Sequence, residues 1–126
     1  MKKIIKTSKA PAPIGPYNQA IIVDNTLYAS GQIALDPKTM ELVNQNVDAE
    51  TNQVMKNLSE ILNAADMDFT NVVKTTIFLD DMRDFTAVNE IYGSYFDHNV
   101  APARETVQVA NLPKNVRVEI SVIAIR

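Results

Sequence analysis

The chain has 126 residues, of which 46% are hydrophobic and 21% are charged, and its formal net charge is -3. This is the length of one ordinary domain, which buries roughly two-thirds of the surface of its unfolded chain. The sequence contains no cysteine, which excludes disulfides, thiolate catalysis and zinc ribbons. The net charge gives no global attraction to nucleic acid, although it does not exclude a local basic patch. The basic start lacks the apolar stretch of a signal peptide and no run approaches membrane-spanning length, so we expect a soluble cytoplasmic protein.

The first third of the chain predicts three short strands. Residues 3–6 are predicted to form the first strand, and a proline-rich loop then breaks regular structure. The runs 19–23 and 26–30 are rich in strand-forming residues and are joined by Asp24-Asn25, so they predict a tight hairpin. Gly31 follows this hairpin, where a glycine permits close approach by another backbone or a ligand.

Two helices are predicted, separated by a strand over residues 72–79. Asp48 is the predicted cap of the first helix, whose apolar face carries Val54, Leu58, Ile61, Leu62 and Ala65 at helical spacing. Asp80 or Asp81 is the predicted cap of the second helix, which runs to about Asp97. The apolar positions of this second helix are Phe85, Val88, Ile91, Tyr92, Tyr95 and Phe96.

The C-terminal fifth of the chain predicts two strands, 104–109 and 116–122, joined by a turn at 111–115. Alternation places Arg104 on one face of the first strand, together with Thr106 and Gln108. In the second strand, Glu119 lies opposite the valines, together with Arg117 and Ser121. If these strands lie near one another, Arg104 and Glu119 become candidates for one polar site.

The element order β-ββ-α-β-α-ββ predicts an α+β fold with a mixed sheet and two helices. The crossover into the strand 72–79 is expected to be right-handed. Two helices cover only one face of such a sheet, yet Ile123 and Ile125 give the last strand a second apolar face. Self-association through the sheet is the simplest way to cover that face.

Other residues suited to chemistry have simpler explanations. His98 is explained by the dipole of the helix that it follows, and Asp80, Asp81 and Asp84 by the start of that helix rather than by a cation. Lys114 is better explained as a solvated loop lysine than as a Schiff-base nucleophile. Arg104 suits bidentate recognition of a carboxylate or phosphate. The residues by themselves therefore suggest a small carboxylate-binding pocket and no more.

Seven short motifs follow one another at spacings similar to those of a known family. They are Ile14-Gly15-Pro16-Tyr17, Ser30-Gly31-Gln32-Ile33, Val73-Lys74-Thr75-Thr76, Val88-Asn89-Glu90-Ile91-Tyr92, Pro102-Ala103-Arg104, Asn111-Leu112-Pro113-Lys114 and Val118-Glu119-Ile120. Together they span essentially the whole chain, with no large insertion. On these motifs the chain resembles the RidA/YjgF family of enamine/imine deaminases.

The resemblance implies a chorismate-mutase-like α+β domain over residues 1–126, assembled as a homotrimer with sites in the clefts between subunits. Members of this family hydrolyse reactive 2-imino acids, such as 2-iminobutanoate and 2-iminopropanoate, to 2-oxo acids and ammonia. The resemblance implies no cofactor and no metal, and a small 2-imino or 2-oxo acid as the ligand. The homotrimer implied by the resemblance agrees with the uncovered sheet face inferred above.

The resemblance also implies roles for individual residues. Arg104 would grip the substrate carboxylate, and Glu119 would orient or activate the attacking water. The pocket would be lined by Tyr17, Ser30, Gly31 and Asn89. A guanidinium fork fixes a 2-imino acid with its electrophilic carbon facing one direction, and an ionised glutamate accepts a proton from water.

The chain departs from the family pattern after Arg104, where Glu105-Thr106 stands in place of a common Ser-Cys. Thr106 shares a face with Arg104, so we expect it in the pocket and expect it to alter substrate preference. Asn111 and Ser121 are further departures that bear on substrate range. A non-catalytic trimer that binds small oxo or amino acids is the alternative function. A ribonuclease or translation inhibitor is disfavoured because the sequence has no basic stripe.

Overall fold

A computed structural model describes all residues, 1–126. Its strands are β1 (Lys2–Ile5), β2 (Ala20–Val23), β3 (Thr26–Ala29), β4 (Val72–Leu79), β5 (Ala103–Gln108) and β6 (Val118–Ile125), and its helices are α1 (Val47–Ala64) and α2 (Phe85–Gly93). Short 3-10 turns lie at 69–71, 82–84, 98–100 and 113–115. The predicted order of elements is confirmed, and the predicted strand 72–79 has the predicted bounds.

The strands form one six-stranded sheet in the order β1-β2-β3-β6-β4-β5. β4 and β5 are parallel and are connected through α2, whereas every other neighbouring pair is antiparallel. β3 and β4 are both antiparallel to β6, so α1 connects two strands that run in the same direction. The predicted α+β fold with a mixed sheet and two helices is therefore confirmed. β5 and β6 are not neighbours, because β4 lies between them.

The core lies between the helices and one face of the sheet. The alternate residues Val118, Ile120, Val122 and Ala124 of β6 are buried in the same apolar cluster as Val54, Leu58, Ile61 and Leu62 of α1. Each fully buried large aliphatic side chain contributes roughly 1.5–3 kcal/mol by leaving water. This face is termed the helix face, and the opposite one the open face.

The helix ends differ from the sequence prediction. Asn46, not Asp48, caps α1, because its extended backbone lets Oδ1 accept a hydrogen bond from Ala49 N at 2.8 Å. Asp48 lies in the first helical turn, where its charge complements the helix dipole. Neither Asp80 nor Asp81 caps α2 itself, whose N-cap is Asp84. Asp81 instead caps the 3-10 turn that leads into α2, accepting a hydrogen bond from Arg83 N at 2.9 Å.

α2 ends at Gly93, so the prediction that it continues to Asp97 was wrong. The chain tightens there, since Phe96 N donates to Gly93 O three residues earlier. Tyr95 and Phe96 keep apolar contacts beyond the helix, with ring centroids 5.5 and 5.3 Å from that of Phe69. Their helical spacing in the sequence therefore reflects burial in an aromatic cluster and not a longer helix.

Two buried polar residues of α1 hold distant backbone segments. Glu50 is 1% exposed, and its Oε2 accepts hydrogen bonds from Arg117 N at 2.7 Å and Val118 N at 3.3 Å. Burial raises the pKa of Glu50, and these N–H groups oppose that shift. Asn57 is also 1% exposed and donates from Nδ2 to Ile33 O at 3.1 Å and Leu35 O at 3.0 Å. Glu50 thus fixes the start of β6, and Asn57 fixes the segment after β3.

The open face carries apolar side chains that no element covers. Ile4, Ile21, Tyr28 and Ile123 follow one another across β1, β2, β3 and β6 in register. Ile4 is 38% exposed and Tyr28 is 46% exposed, and Val107 on β5 is 41% exposed. The two helices therefore cover one face only, as the sequence predicts. None of the helices combines the length and apolar composition needed to cross a bilayer, and the cytoplasmic location stays a prediction.

The buried amide of Asn57 gives a test of the fold. We expect Asn57→Ala to lower the free energy of unfolding by about 1–3 kcal/mol, because it removes the buried side-chain donor to the carbonyl of Leu35 and one of the two donors to the carbonyl of Ile33. Urea unfolding measures this change, and Asn63→Ala is the matched control, an exposed asparagine of the same helix. Equal unfolding midpoints for the two variants would contradict the assigned role.

Candidate active site

The residues predicted to form one site, apart from Thr106, fall into two separate cavities within the chain. The first cavity, here the glutamate cavity, has a volume of about 380 Å³ and is lined by Tyr17, Ser30, Gly31 and Glu119. The second, here the arginine cavity, has a volume of about 410 Å³ and is lined by Asn89 and Arg104. The two cavities share no lining residue.

Glu119 is the only charged residue of the glutamate cavity. β6 alternates, so burial of Val118 and Ile120 on the helix face sends the Glu119 side chain to the open face beside Phe78. No protein group donates a hydrogen bond to the carboxylate, and burial alone raises the pKa of Glu119. The group is an unpaired carboxylate with an accessible cavity in front of it.

Gly31 makes room for this carboxylate. After β3 the chain stays beside β6, since Gln32 N donates to Ile120 O at 2.8 Å and Ile120 N donates to Gln32 O at 3.1 Å. A Cβ atom at Gly31 would lie 2.5 Å from Glu119 Oε2. Only glycine therefore fits there without moving Glu119, in agreement with the close approach predicted from the sequence.

The remaining polar groups of the glutamate cavity belong to loops that the fold holds in place. Ser30 Oγ donates to Asn18 O at 2.6 Å, which leaves the oxygen free to accept a hydrogen bond. Tyr17 is 45% exposed, and its hydroxyl accepts a hydrogen bond from Ile14 N at 3.2 Å. The other walls are mostly apolar and are formed by Pro11, Ala12, Ile14, Ile33, Leu35 and Pro113.

Gln19, which was not predicted as a site residue, also lines the glutamate cavity. Its Oε1 accepts a hydrogen bond from Thr7 N at 2.8 Å, and its Nε2 donates to Thr7 O, Ala10 O and Pro11 O at 3.0, 3.2 and 2.8 Å. These bonds hold the proline-rich loop against the start of β2. No local pattern indicates them, because they depend on how the loop folds back.

Arg104 is held by residues of α2. Its Nη1 donates to Asn89 Oδ1 at 2.6 Å. The guanidinium carbon lies 5.1 Å from the ring centroid of Tyr92 and 5.8 Å from that of Phe85. This arrangement uses one guanidinium nitrogen for the protein and leaves Nε and Nη2 for a ligand. Arg104 is therefore held in place by α2, with two of its guanidinium nitrogens free.

Arg104 and Glu119 lie on opposite faces of the sheet. Arg104 is paired in register with Thr75, whose buried hydroxyl contacts α2, so Arg104 lies on the helix face. Glu119 is paired with Phe78 and lies on the open face. β4 also separates their strands. One copy of the chain does not bring the two predicted catalytic residues into one site.

Thr106 lines neither cavity. It lies on the helix face of β5, paired with Ile77, and its Oγ1 is buried without a hydrogen-bond partner. It shares a face with Arg104, as the alternation predicts, and a role in substrate binding stays a prediction. His98 contacts Gly93 O at 3.3 Å, in agreement with an interaction at the end of α2.

The close approach of Gly31 to Glu119 gives a test of this geometry. We expect Gly31→Ala to push the carboxylate toward solvent and so to lower the pKa of Glu119 toward its ordinary value of about 4.3. Carbon-13 NMR titration of the glutamate side chains measures this pKa. Gly15→Ala is the control, since its Cβ would lie 3.6 Å from the Tyr17 ring, an ordinary contact. An unchanged Glu119 titration in Gly31→Ala would contradict the geometry.

Comparison with known proteins agrees with the fold described above. The family model described as endoribonuclease L-PSP matches residues 7–126. The rat protein named 2-iminobutanoate/2-iminopropanoate deaminase is 56% identical over all of this chain and 91% of its own length. A Rid-family protein of unknown function from Yersinia pestis has a TM-score of 0.96 at 45% identity, covering 100% of both chains. E. coli TdcF, solved with bound serine, has a TM-score of 0.92 at 40% identity, covering 98% of each chain.

The match to the family model covers nearly the whole chain, and the solved relatives share its fold at 40% identity and above. Identity of this level over the full length involves many more positions than the short motifs contain. This chain belongs to the RidA/YjgF family, whose model carries the description endoribonuclease L-PSP.

Proposed function

We propose that this protein hydrolyses small reactive 2-imino acids, such as 2-iminobutanoate and 2-iminopropanoate, to 2-oxo acids and ammonia. Full-length relatives at 52–56% identity carry the name of this activity. The structural observation that carries the proposal is a pair of unlike charges that the protein leaves free for a ligand. Arg104 keeps two guanidinium nitrogens unused, and Glu119 has no partner.

The chemistry of the substrate matches these two groups. A 2-imino acid carries a carboxylate directly beside an electrophilic carbon, so a guanidinium that binds the carboxylate also fixes that carbon. Water adds to the C=N carbon as Glu119 takes its proton, the π electrons move to nitrogen, and Glu119 passes that proton to the nitrogen to give a carbinolamine. Glu119 then takes the proton of the new hydroxyl group as the C=O bond forms, and it gives this proton to the nitrogen as the C–N bond breaks and ammonia leaves. Glu119 ends as the free carboxylate, and no oxidant or reductant is needed.

The separation of Arg104 and Glu119 supports a site shared between copies of the chain. The two groups lie on opposite faces of one sheet, so a substrate that contacts both needs Arg104 from one subunit and Glu119 from a neighbour. The exposed apolar side chains of the open face offer the surface for that association. We propose a homotrimer with three such sites, in which Tyr17, Ser30 and Gly31 complete the glutamate side.

A second candidate function is binding without catalysis. E. coli TdcF was solved with serine bound, which shows that a relative of this fold holds a small amino acid. In this chain Thr106 has an unsatisfied buried hydroxyl where the family often has a cysteine. A binding protein of this kind would hold small oxo or amino acids by the same arginine. It would release no ammonia above the uncatalysed rate.

Removal of the guanidinium tests the proposed function. We expect Arg104→Ala to lower kcat/KM for enzymatically generated 2-iminobutanoate by about tenfold to hundredfold, because a charged hydrogen-bond donor to the carboxylate is lost. The measurement is ammonia release above the uncatalysed background. Arg83→Ala is the matched control, since Arg83 is exposed and paired with Asp81 away from both cavities. Equal rates for wild type and Arg104→Ala would contradict the role of Arg104. No release above background by wild type would favour the binding protein.

The shifted titration of Glu119 gives a pH dependence. Burial raises its pKa, so the carboxylate that accepts the proton is lost as pH falls through that raised value. We expect kcat/KM to fall on the acid side with an apparent pKa above 4.3, the ordinary value for glutamate. Glu119→Gln should remove this acid limb together with most of the activity. Glu105→Gln, which alters an exposed glutamate paired with Lys74, should keep both. An acid limb that persists in Glu119→Gln would contradict the assignment.

A further inference from the structure

We infer that Tyr92 of α2 is a positioning residue that holds the Arg104 guanidinium ready for the substrate carboxylate. The inference rests on the proposed role of Arg104 as the carboxylate-binding group. In the sequence, Tyr92 is one of several apolar positions at helical spacing and the last residue of one family motif, and neither pattern assigns it a role. In the structure, the Tyr92 side chain makes a cation–π contact and a buried hydrogen bond in addition to packing in the core.

The first of these interactions is the contact with the cation. The Tyr92 ring centroid lies 5.1 Å from the guanidinium carbon of Arg104, within the range of a cation–π interaction. Tyr92 is 5% exposed, so water competes little for this contact from the ring side. The face of an electron-rich ring thus lies beside a guanidinium whose other nitrogens remain free.

The second interaction anchors the ring. The Tyr92 hydroxyl and Thr75 Oγ1 are 2.8 Å apart and share a buried hydrogen bond. Thr75 is fully buried on β4 and is the register partner of Arg104 on β5. The ring is therefore fixed to the strand that lies directly beside the arginine. Burial raises the pKa of Tyr92, so the hydroxyl stays neutral and acts as a fixed dipole rather than as a charge.

Two neighbours on α2 complete the support. Phe85, Asn89 and Tyr92 are spaced i, i+4 and i+7 and so lie on one face of the helix. The Phe85 ring centroid is 5.8 Å from the guanidinium carbon, and Asn89 Oδ1 accepts a hydrogen bond from Nη1 at 2.6 Å. Asn89 was predicted to line the substrate pocket, and in this structure its oxygen is used by Arg104. An arginine ordered in advance loses less side-chain freedom when the carboxylate binds.

Tyr92→Leu, Tyr92→Phe and Tyr95→Leu separate positioning from packing. Tyr92→Leu removes the ring, whereas Tyr92→Phe keeps the ring and removes only the bond to Thr75. Tyr95→Leu is the matched control, because Tyr95 packs on Phe69 and bonds to Asn52 without contacting Arg104. The first measurement is the ring-current shift of the Arg104 Hε proton in NMR spectra of the assembled protein. We expect Tyr92→Leu to lose this shift, and Tyr92→Phe and Tyr95→Leu to retain it.

The second measurement is binding and turnover. We expect Tyr92→Leu to raise the Kd for 2-oxobutanoate and the KM for 2-iminobutanoate about fivefold, with kcat within about twofold of wild type. A general loss of packing would lower kcat and the folded fraction instead. Tyr92→Phe should raise Kd less than Tyr92→Leu, and Tyr95→Leu should leave Kd unchanged.

Each outcome decides between the inference and its alternatives. If Tyr92→Leu leaves the ring-current shift of Arg104 Hε unchanged, the contact between Tyr92 and Arg104 is overturned. If Tyr92→Leu loses this shift but keeps the Kd for 2-oxobutanoate, while Arg104→Ala raises that Kd, only the positioning role of Tyr92 is overturned. If Arg104→Ala also leaves Kd unchanged, carboxylate binding by Arg104 is overturned, and the NMR shift still reports separately whether Tyr92 holds the guanidinium.

Discussion

The alternation of side chains between the two faces of the sheet is the constraint on which the rest of this structure depends. Val118 and Ile120 must point into the core, so Glu119 between them must point away from it. Arg104 is in register with the buried Thr75 and therefore shares the face of the helices. The same rule that builds the core thus places the two charged groups on opposite sides of a layer. In the proposed function a single subunit presents two half-sites, and the open face offers the apolar surface through which subunits would meet.

Each half-site is built in a different way. On the helix face, side chains of α2 surround the guanidinium, and an anchored ring limits its motion. On the open face, the backbone does most of the positioning. The segment after β3 stays beside β6, and the missing Cβ of Gly31 leaves space for the Glu119 carboxylate. Glu50 fixes the start of the same strand through the N–H groups of Arg117 and Val118. The acid is free to titrate while its backbone is held.

Local periodicity was sufficient to predict the element order and the bounds of β4, because burial of alternate or helically spaced residues is visible in the sequence. It was also sufficient to predict an uncovered sheet face from the number of helices. The predicted cap of α1 was wrong because Asn46 and Asp48 are both able to cap a helix. The predicted end of α2 was wrong because the aromatic residues after Gly93 keep helical spacing without forming a helix. The bonds of Gln19 and Asn57 join segments far apart in the chain, and no local pattern encodes them. Alternation within each strand likewise does not predict whether β5 and β6 are neighbours. The strand order shows that β4 lies between them.

The central claim is that one site takes Arg104 from one subunit and Glu119 from another. Mixing Arg104→Ala with Glu119→Gln, followed by joint unfolding and refolding, tests it directly through ammonia release from 2-iminobutanoate. Random assembly of equal amounts into trimers gives each interface about a one-in-four chance of carrying both native residues. The mixture should therefore recover about a quarter of the wild-type rate, well above either variant refolded alone. A rate that stays at the average of the two variants, with mixed assemblies present, would contradict the claim.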